Sequence, residues 1–226
     1  MPLPKLSNVN VWIFDLDNTL YPPEARLFDQ IQTLMTQYVM RELDVAVATA
    51  NQLRDQYWRH YGTTLSGLMH EHDIDPAPYL REIHDISLAN LTQDRALSQA
   101  IRKLPGRKIV YTNGPKFHAE RVTQARGLGG IFDVIYGIEH ADYRPKPERA
   151  AFEQILKQDG SDPNLAAMFE DDARNLSAPH EMGMACVLVG PKPASTLAHI
   201  HHQTEDLTDF LTNVLTPGLS RRAEAD

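Results

Sequence analysis

Two aspartates with one residue between them, Asp15 and Asp17, stand where the apolar run VNVWIF empties into the polar string DLDNT. Side chains two apart in an extended chain point the same way, so both carboxylates face one side while Leu16 faces the core. One of the pair can attack while the other handles protons. A carboxylate is a competent nucleophile toward phosphorus, and the acyl phosphate it forms can be hydrolysed by water in a second step. Acids crowded in this way need a cation. Asp171, in the string FEDDARNL, adds a third carboxylate. Asp15 and Asp171, converging from different strands, offer hard oxygen ligands suited to Mg²⁺, with a phosphate oxygen and waters completing an octahedron. Phosphoryl transfer also needs fixed positive charge on the equatorial oxygens, and Lys146 in YRPKPE can supply it. Thr112 and the amides of Asn113 and Gly114, in YTNG, would hold the remaining oxygens.

Each string has an ordinary structural reading when taken alone. Thr-Asn-Gly makes a turn, Lys146 between two prolines can be a solvated lysine ahead of a helix, and Asp171-Asp172 can cap one. Placement separates the readings, because all four strings fall where a sheet would end and one pocket could gather them.

The elements that must position these residues follow from hydrophobic periodicity. Residues 9–14 read as a buried strand. After Pro22-Pro23 the period changes to 3.6: Leu27, Ile31, Leu34 and Tyr38 form one stripe, which predicts a helix over 24–43. Asp44 can cap a second helix running to Tyr61, where Gly62 is placed to end it. Shorter helices fit 65–71 and 78–86, and no convincing strand lies between Pro22 and Asn90.

From Gln93 onward helix and strand alternate. Helices are expected over 93–104, 116–126, 148–158 and 173–182, and strands over 108–111, 132–136, 166–169 and 185–189, with a closing helix over 204–214 and a frayed tail. Strict alternation with short joins implies an α/β fold: a Rossmann-like parallel sheet with helices on both faces, to which the first strand also belongs. The all-helical stretch is then an insert. Residues 1–21 and 91–226 would form a discontinuous α/β core, and residues 22–90 a helical second domain.

Composition bounds the function. With 226 residues, 42% hydrophobic and 23% charged, the chain is long enough to bury a sizeable core and matches a folded globular protein. Its 22 basic and 30 acidic residues leave a net charge of −8, which argues against binding nucleic-acid polymers or anionic membranes. Any anionic ligand must therefore meet a local cation. The single cysteine, Cys186, permits no internal disulfide, the N-terminal sequence has no basic-then-apolar leader, and no apolar run approaches the ~20 residues of a membrane span. These features set the expectation of a cytoplasmic protein.

The four strings together resemble the haloacid dehalogenase-like hydrolase superfamily, a large group of mostly Mg²⁺-dependent phosphatases. The resemblance covers the whole core. It implies that Asp15 in DLDNTL is the nucleophile and Asp17 the acid/base, whose main-chain carbonyl also ligates the metal. Thr112 matches the second motif, Lys146 the third, and Asp171 the metal-binding acid of the fourth, with Glu170 and Asp172 in supporting or water-holding roles. The helical insert matches a cap that closes over the site and reads the leaving group. Dehalogenase members lack the second aspartate, so Asp17 favours phosphatase chemistry, because an alkoxide leaving group needs an acid. The run DLDNTLYPPEARLFDQI, with YRPKPE and FEDDARNL, further resembles the pyrimidine 5′-nucleotidase-like branch, although EDD departs from the commoner GDS form of the fourth motif.

The expected function is thus Mg²⁺-dependent phosphomonoester hydrolysis through an aspartyl-phosphate. The expected substrate is a small phosphorylated metabolite, with UMP or CMP the best single guess. Alternatives are a phosphatase or phosphomutase for a sugar phosphate or phosphoglycolate, and a non-catalytic phospho-acceptor module, which would need neither Asp17 nor a cap. Tyr38, Gln56, Tyr57 and His60 are candidates for holding a ribose or base. Tyr57, Trp58 and Tyr61 share a predicted helix and could stack on a base, although core packing is the commoner use of aromatics at helical spacing. The histidines of AHIHHQ lack the spacing of a zinc site, and Cys186 in an apolar strand is expected to be an inert buried thiol.

Overall fold

The computed structural model describes residues 6–190 and 196–214. The predicted tail beyond Pro217 lies outside the described residues. Strands β1 (Val11–Phe14), β2 (Arg107–Tyr111), β3 (Val134–Tyr136), β4 (Ala166–Glu170), β5 (Ala185–Val189) and β6 (His202–Thr204) form one parallel sheet in the order β3-β2-β1-β4-β5-β6. β1 is central and every one of its residues is buried. Its alternation sends Trp12 and Phe14 into one core and Val11 and Ile13 into the other, so both faces of the sheet are covered.

Among the described residues five helices supply that cover. α5 (Arg95–Lys103), α6 (Lys116–Ala125) and α9 (Leu207–Val214) pack on the Trp12 face, and α7 (Arg149–Asp159) and α8 (Ser177–Glu181) on the Ile13 face. On the first face Phe14 stacks on Phe169 with ring centroids 4.7 Å apart. Truncating such a buried ring to alanine costs about 3–5 kcal/mol. At the amino end of the sheet, Arg107 opens β2 and grips Asp159 at the end of α7 with bonds of 2.7 and 2.9 Å, and Tyr136 adds a third donor. Strand order reverses about β1, with β2 on one side and β4 on the other, which puts a crevice at their carboxyl ends.

Between β1 and α5 the described chain is free of strand, as the sequence predicts. It forms α1 (Leu27–Leu43), α2 (Val47–Tyr61), α3 (Thr64–His72) and α4 (Pro76–Ile83). α1 starts three residues later than the stripe suggests, because a 3₁₀ turn over Pro23–Ala25 ends at Arg26 in a left-handed conformation with φ 54°. Asp44 does not cap α2; at φ 49° it ends α1, its N–H bonded to the Met40 carbonyl, and Ala46 stands at the start of α2. Gly62, at φ +81°, does end α2. Two further differences fall in the core. The helix expected over 173–182 divides into a 3₁₀ turn, Ala173–Leu176, and the short α8. The start of the expected closing helix is part of β6, and α9 begins at Leu207. Among the described residues no helix is long and apolar enough to cross a membrane.

Candidate active site

β1 delivers Asp15 at its carboxyl end, with the Asp15 N–H held by the Phe169 carbonyl at 2.9 Å. The side chain is buried and its Oδ1 accepts from Lys146 Nζ at 2.6 Å. Lys146 reaches it from the loop before α7. The same ammonium donates to Glu170 Oε2 at 2.6 Å and to the Tyr111 carbonyl at 3.2 Å, and it is 2% exposed. Burial opposes its charge, but Asp15 and Glu170 outweigh burial and hold the ammonium well above its ordinary pKa. Asp15 moves upward as well, through burial first and then repulsion from Glu170, with Lys146 opposing both. One ammonium is shared by two carboxylates, and Asp171 crowds the same space.

Carboxylate oxygens of Asp15, Glu170 and Asp171 all lie within 4.8 Å of one another. This set fits a divalent cation: the oxygens are hard donors, and the crowding that pushes Asp15 upward is what such a charge relieves. The Asp17 side chain is outside this trio. Any share it has in a metal site would come from its main-chain carbonyl.

Asp17 is held differently. The Tyr21 hydroxyl donates to its Oδ1 at 2.5 Å, and His118 Nε2 stands 3.6 Å from the same oxygen, too far for a formed hydrogen bond but close enough to favour the anion. Burial alone would raise this carboxyl, yet His118 and Tyr21 together bring it below the ordinary range. His118 is fully buried on α6, with neither ring nitrogen hydrogen-bonded. Its ring is 4.6 Å from that of His84, which closes α4 and hydrogen-bonds the Leu80 carbonyl. Burial and the neighbouring His118 push His84 down to about 3. Neither histidine was evident in the sequence, because the two lie on separate helices and only the fold brings them to Asp17.

At the end of β2 the buried Thr112 hydroxyl accepts from the Gly114 N–H at 2.9 Å. That amide is therefore already engaged, and a bond from it to a phosphoryl oxygen would be shared or exchanged. The Asn113 side chain clamps the main chain of Lys146, accepting from its N–H at 2.8 Å and donating to its carbonyl at 3.2 Å. Beyond β4, Asp172 caps the following turn through the Arg174 N–H and also pairs with the Arg174 guanidinium. Of the Asp171-Asp172 pair, Asp172 is thus the one that caps. Asn175 is buried on the cavity wall.

Asp15, Asp17, Thr112, Asn113, Gly114, Lys146 and Asp171 all line one cavity of about 590 Å³. Helices of the insert form its other wall, and here the sequence expectation fails. Tyr38, Gln56, Tyr57 and His60 are not among the lining residues. Tyr57 is buried against α3, its hydroxyl on His72 at 2.7 Å. Asn51, Arg54, Asp55 and Trp58 of α2 line the cavity instead, at spacings of three and four that mark one helical face. Trp58 is 44% exposed, and the Arg174 guanidinium lies 3.7 Å from its ring centroid. The histidines of AHIHHQ are used structurally: His201 accepts from the Cys186 N–H, and His199 bonds the Ala173 carbonyl. Burial pushes the Cys186 thiol up to about 12, as befits an inert residue.

A family model described as haloacid dehalogenase-like hydrolase matches residues 9–183. The chain belongs to that family. Phosphate metabolism protein 8 of Saccharomyces cerevisiae is 28% identical over 225 residues, covering 91% of this chain; the chain spans 65% of the length of that relative. Among solved structures, a HAD phosphatase from Thermococcus onnurineus superposes with a TM-score of 0.63 at 15% identity, covering 91% of this chain and 98% of that one. A 2-haloacid dehalogenase from Pseudomonas syringae gives 0.59 at 17% identity, covering 92% and 98%. At these identities the two structures establish the shared fold, and the chemistry rests on the site.

Proposed function

We propose that this hydrolase is a phosphomonoesterase that uses Mg²⁺ and passes through an aspartyl-phosphate on Asp15. The observation that carries the reading is the division between two carboxylates on one cavity wall. Asp15 sits among Lys146, Glu170 and Asp171, whereas Asp17 is withdrawn from that trio and held by Tyr21 beside His118. A haloacid displacement needs only the first; expelling an alkoxide needs the second as well.

In this mechanism Lys146 fixes the Asp15 carboxylate and bears on the phosphoryl oxygens, aided by Thr112. Mg²⁺, held by Asp15, Asp171 and the Asp17 carbonyl, would supply positive charge to the transferring phosphoryl group. Asp15 attacks phosphorus and the ester oxygen leaves with a proton from Asp17. Asp17, now ionised, takes a proton from the water that cleaves the acyl phosphate, and that proton serves the next leaving group. Tyr21 and His118 favour the Asp17 anion that the second half needs, and the negative charge of a phosphoryl group bound in the same cavity would oppose them, favouring the protonated form that the first half needs.

Residues 22–90 act in this account as a cap over a core of residues 1–21 and 91–226. The substrate class is a small phosphorylated metabolite, with a pyrimidine nucleoside monophosphate first in line. The cavity is of a size that holds such a ligand, and Trp58 offers an exposed ring on its cap side. The yeast relative's name points to phosphate metabolism. Phosphate release from a panel tests this. With Mg²⁺, UMP or CMP should show kcat/KM at least ~10-fold above AMP and GMP, about 1.4 kcal/mol of discrimination. Excess chelator should abolish turnover and Mg²⁺ restore it, while Ca²⁺ should inhibit. A sugar phosphate leading the panel would end the nucleotidase reading, and full activity in chelator would end the metal-dependent one.

A further inference from the structure

Three cations line the cavity among the described residues, and two of them are matched by acids. Lys146 is shared by Asp15 and Glu170, and Arg174 pairs with Asp172. Arg54 is the third. It lies half-buried on α2 with only neutral partners: its Nη1 donates to the Thr36 hydroxyl at 2.6 Å and to Asn51 Oδ1 at 3.3 Å. No carboxylate of the described residues pairs with it, and its neighbour Asp55 is taken by Arg59 at 2.8 Å. Its Nε is buried with no hydrogen-bond partner.

A second orphan lines the same cavity. Tyr79, on α4, is among the lining residues, and its hydroxyl is buried with no partner. Tyr79 is fixed by edge-on packing against Tyr38, with centroids 4.8 Å apart. An unsatisfied buried donor costs about 1–3 kcal/mol, and folded proteins keep few of them. Two such donors on one cavity wall, one of them a guanidinium without an acid, describe a place prepared for an acceptor.

We propose that Arg54 and Tyr79 form the subsite that reads the leaving group, taking a carbonyl or carboxylate oxygen carried by the substrate at the end remote from phosphorus. The inference rests on the phosphatase reading and adds a substrate chemistry to it. Uracil and cytosine both carry a carbonyl at C2 and adenine has none, so the same two donors would separate UMP and CMP from AMP. A plain phenyl group presents nothing for them to bind.

The test compares kcat/KM for UMP with kcat/KM for phenyl phosphate in the wild type, Arg54→Met and Tyr79→Phe. The UMP/phenyl phosphate ratio should fall at least ~30-fold in Arg54→Met, equivalent to about 2 kcal/mol, and about 5-fold in Tyr79→Phe. Arg54→Lys should recover part of the ratio by restoring charge without the planar fork. If Arg54 merely ties α2 to α1 through Thr36, both substrates fall together and the ratio stays put, which overturns the proposal. Should Arg54→Met fail to fold, Tyr79→Phe decides by the same ratio. A wild type that ignores UMP but hydrolyses phenyl phosphate ends the nucleotidase reading alone; the ratio is then taken on 4-carboxyphenyl phosphate, where the same losses are expected. A wild type that hydrolyses no phosphomonoester overturns both.

Discussion

The two ends of the sheet use the same residue types to opposite effect. At the amino end Asp159 is matched: its side chain is wholly buried and meets Arg107 in a two-point grip, with Tyr136 and Ser161 as further donors. Burial would raise that carboxyl, but Arg107 leads the groups that hold it below the ordinary range. At the carboxyl end Asp15 is over-subscribed. It shares one ammonium with Glu170, crowds Asp171, and is pushed well above the ordinary range. Donors outnumber acids at one end, and acids outnumber cations at the other. The first arrangement ties a strand to a helix, and the second is a set of acids that could hold a metal ion.

That contrast breaks first at Asp15. Asp15→Asn should lower turnover at least ~10³-fold, since an amide is a far poorer nucleophile. It should leave the melting temperature unchanged or raised, because one of three crowded charges is gone. A fall of many degrees would mean that Asp15 is as structural as Asp159. Lys146→Met sharpens the comparison from the other side. Removing the shared ammonium strands two buried carboxylates, a loss of about 3–5 kcal/mol in denaturant unfolding. Turnover should fall at least ~10²-fold with it. Retained stability and kinetics would return Lys146 to the role of an ordinary lysine.

Arg107→Met should have the smallest effect. It strands one buried carboxylate whose partner is 41% exposed, so the loss should be about 1–2 kcal/mol, with kcat within two-fold of wild type. The pH dependence has a definite sign. A carboxyl lowered by folding contributes stability above its unfolded pKa, about 3.9, and loses it as pH falls through the folded value. The deficit of Arg107→Met should therefore be full at neutral pH and shrink below about pH 4. A deficit that grows in acid would contradict the pairing.

Much of this was legible from sequence where local pattern decides. β1, β2, β4 and β5 are apolar runs ended by polar strings, and their order along the chain sets Asp15, Thr112 and Asp171 at one sheet edge. β6 was not legible, because HQT has no apolar run and nothing local announces its pairing with β5. The partnership of Lys146 with Glu170 depends on β1, β2 and β4 lying side by side, which no local string announces. His84 and His118 belong to the same class. The cap was misread for a different reason. Tyr38 and Tyr57 drew attention as aromatics, yet both point into packed helices, whereas the phase of Asn51, Arg54, Asp55 and Trp58 already marked a separate polar face of α2. Helical phase was the better guide than residue type.

Transfer of the phosphoryl group to Asp15 can be watched in Asp17→Asn with ³²P-labelled p-nitrophenyl phosphate and Mg²⁺. Its leaving group departs without an acid, so Asp15 should still be phosphorylated, while hydrolysis of the acyl phosphate should stall for want of a base. The expected result is a burst of about one p-nitrophenolate per chain and hydroxylamine-labile label confined to the peptide containing Asp15. Wild-type enzyme that turns over while Asp17→Asn gives neither burst nor label on that peptide would contradict it.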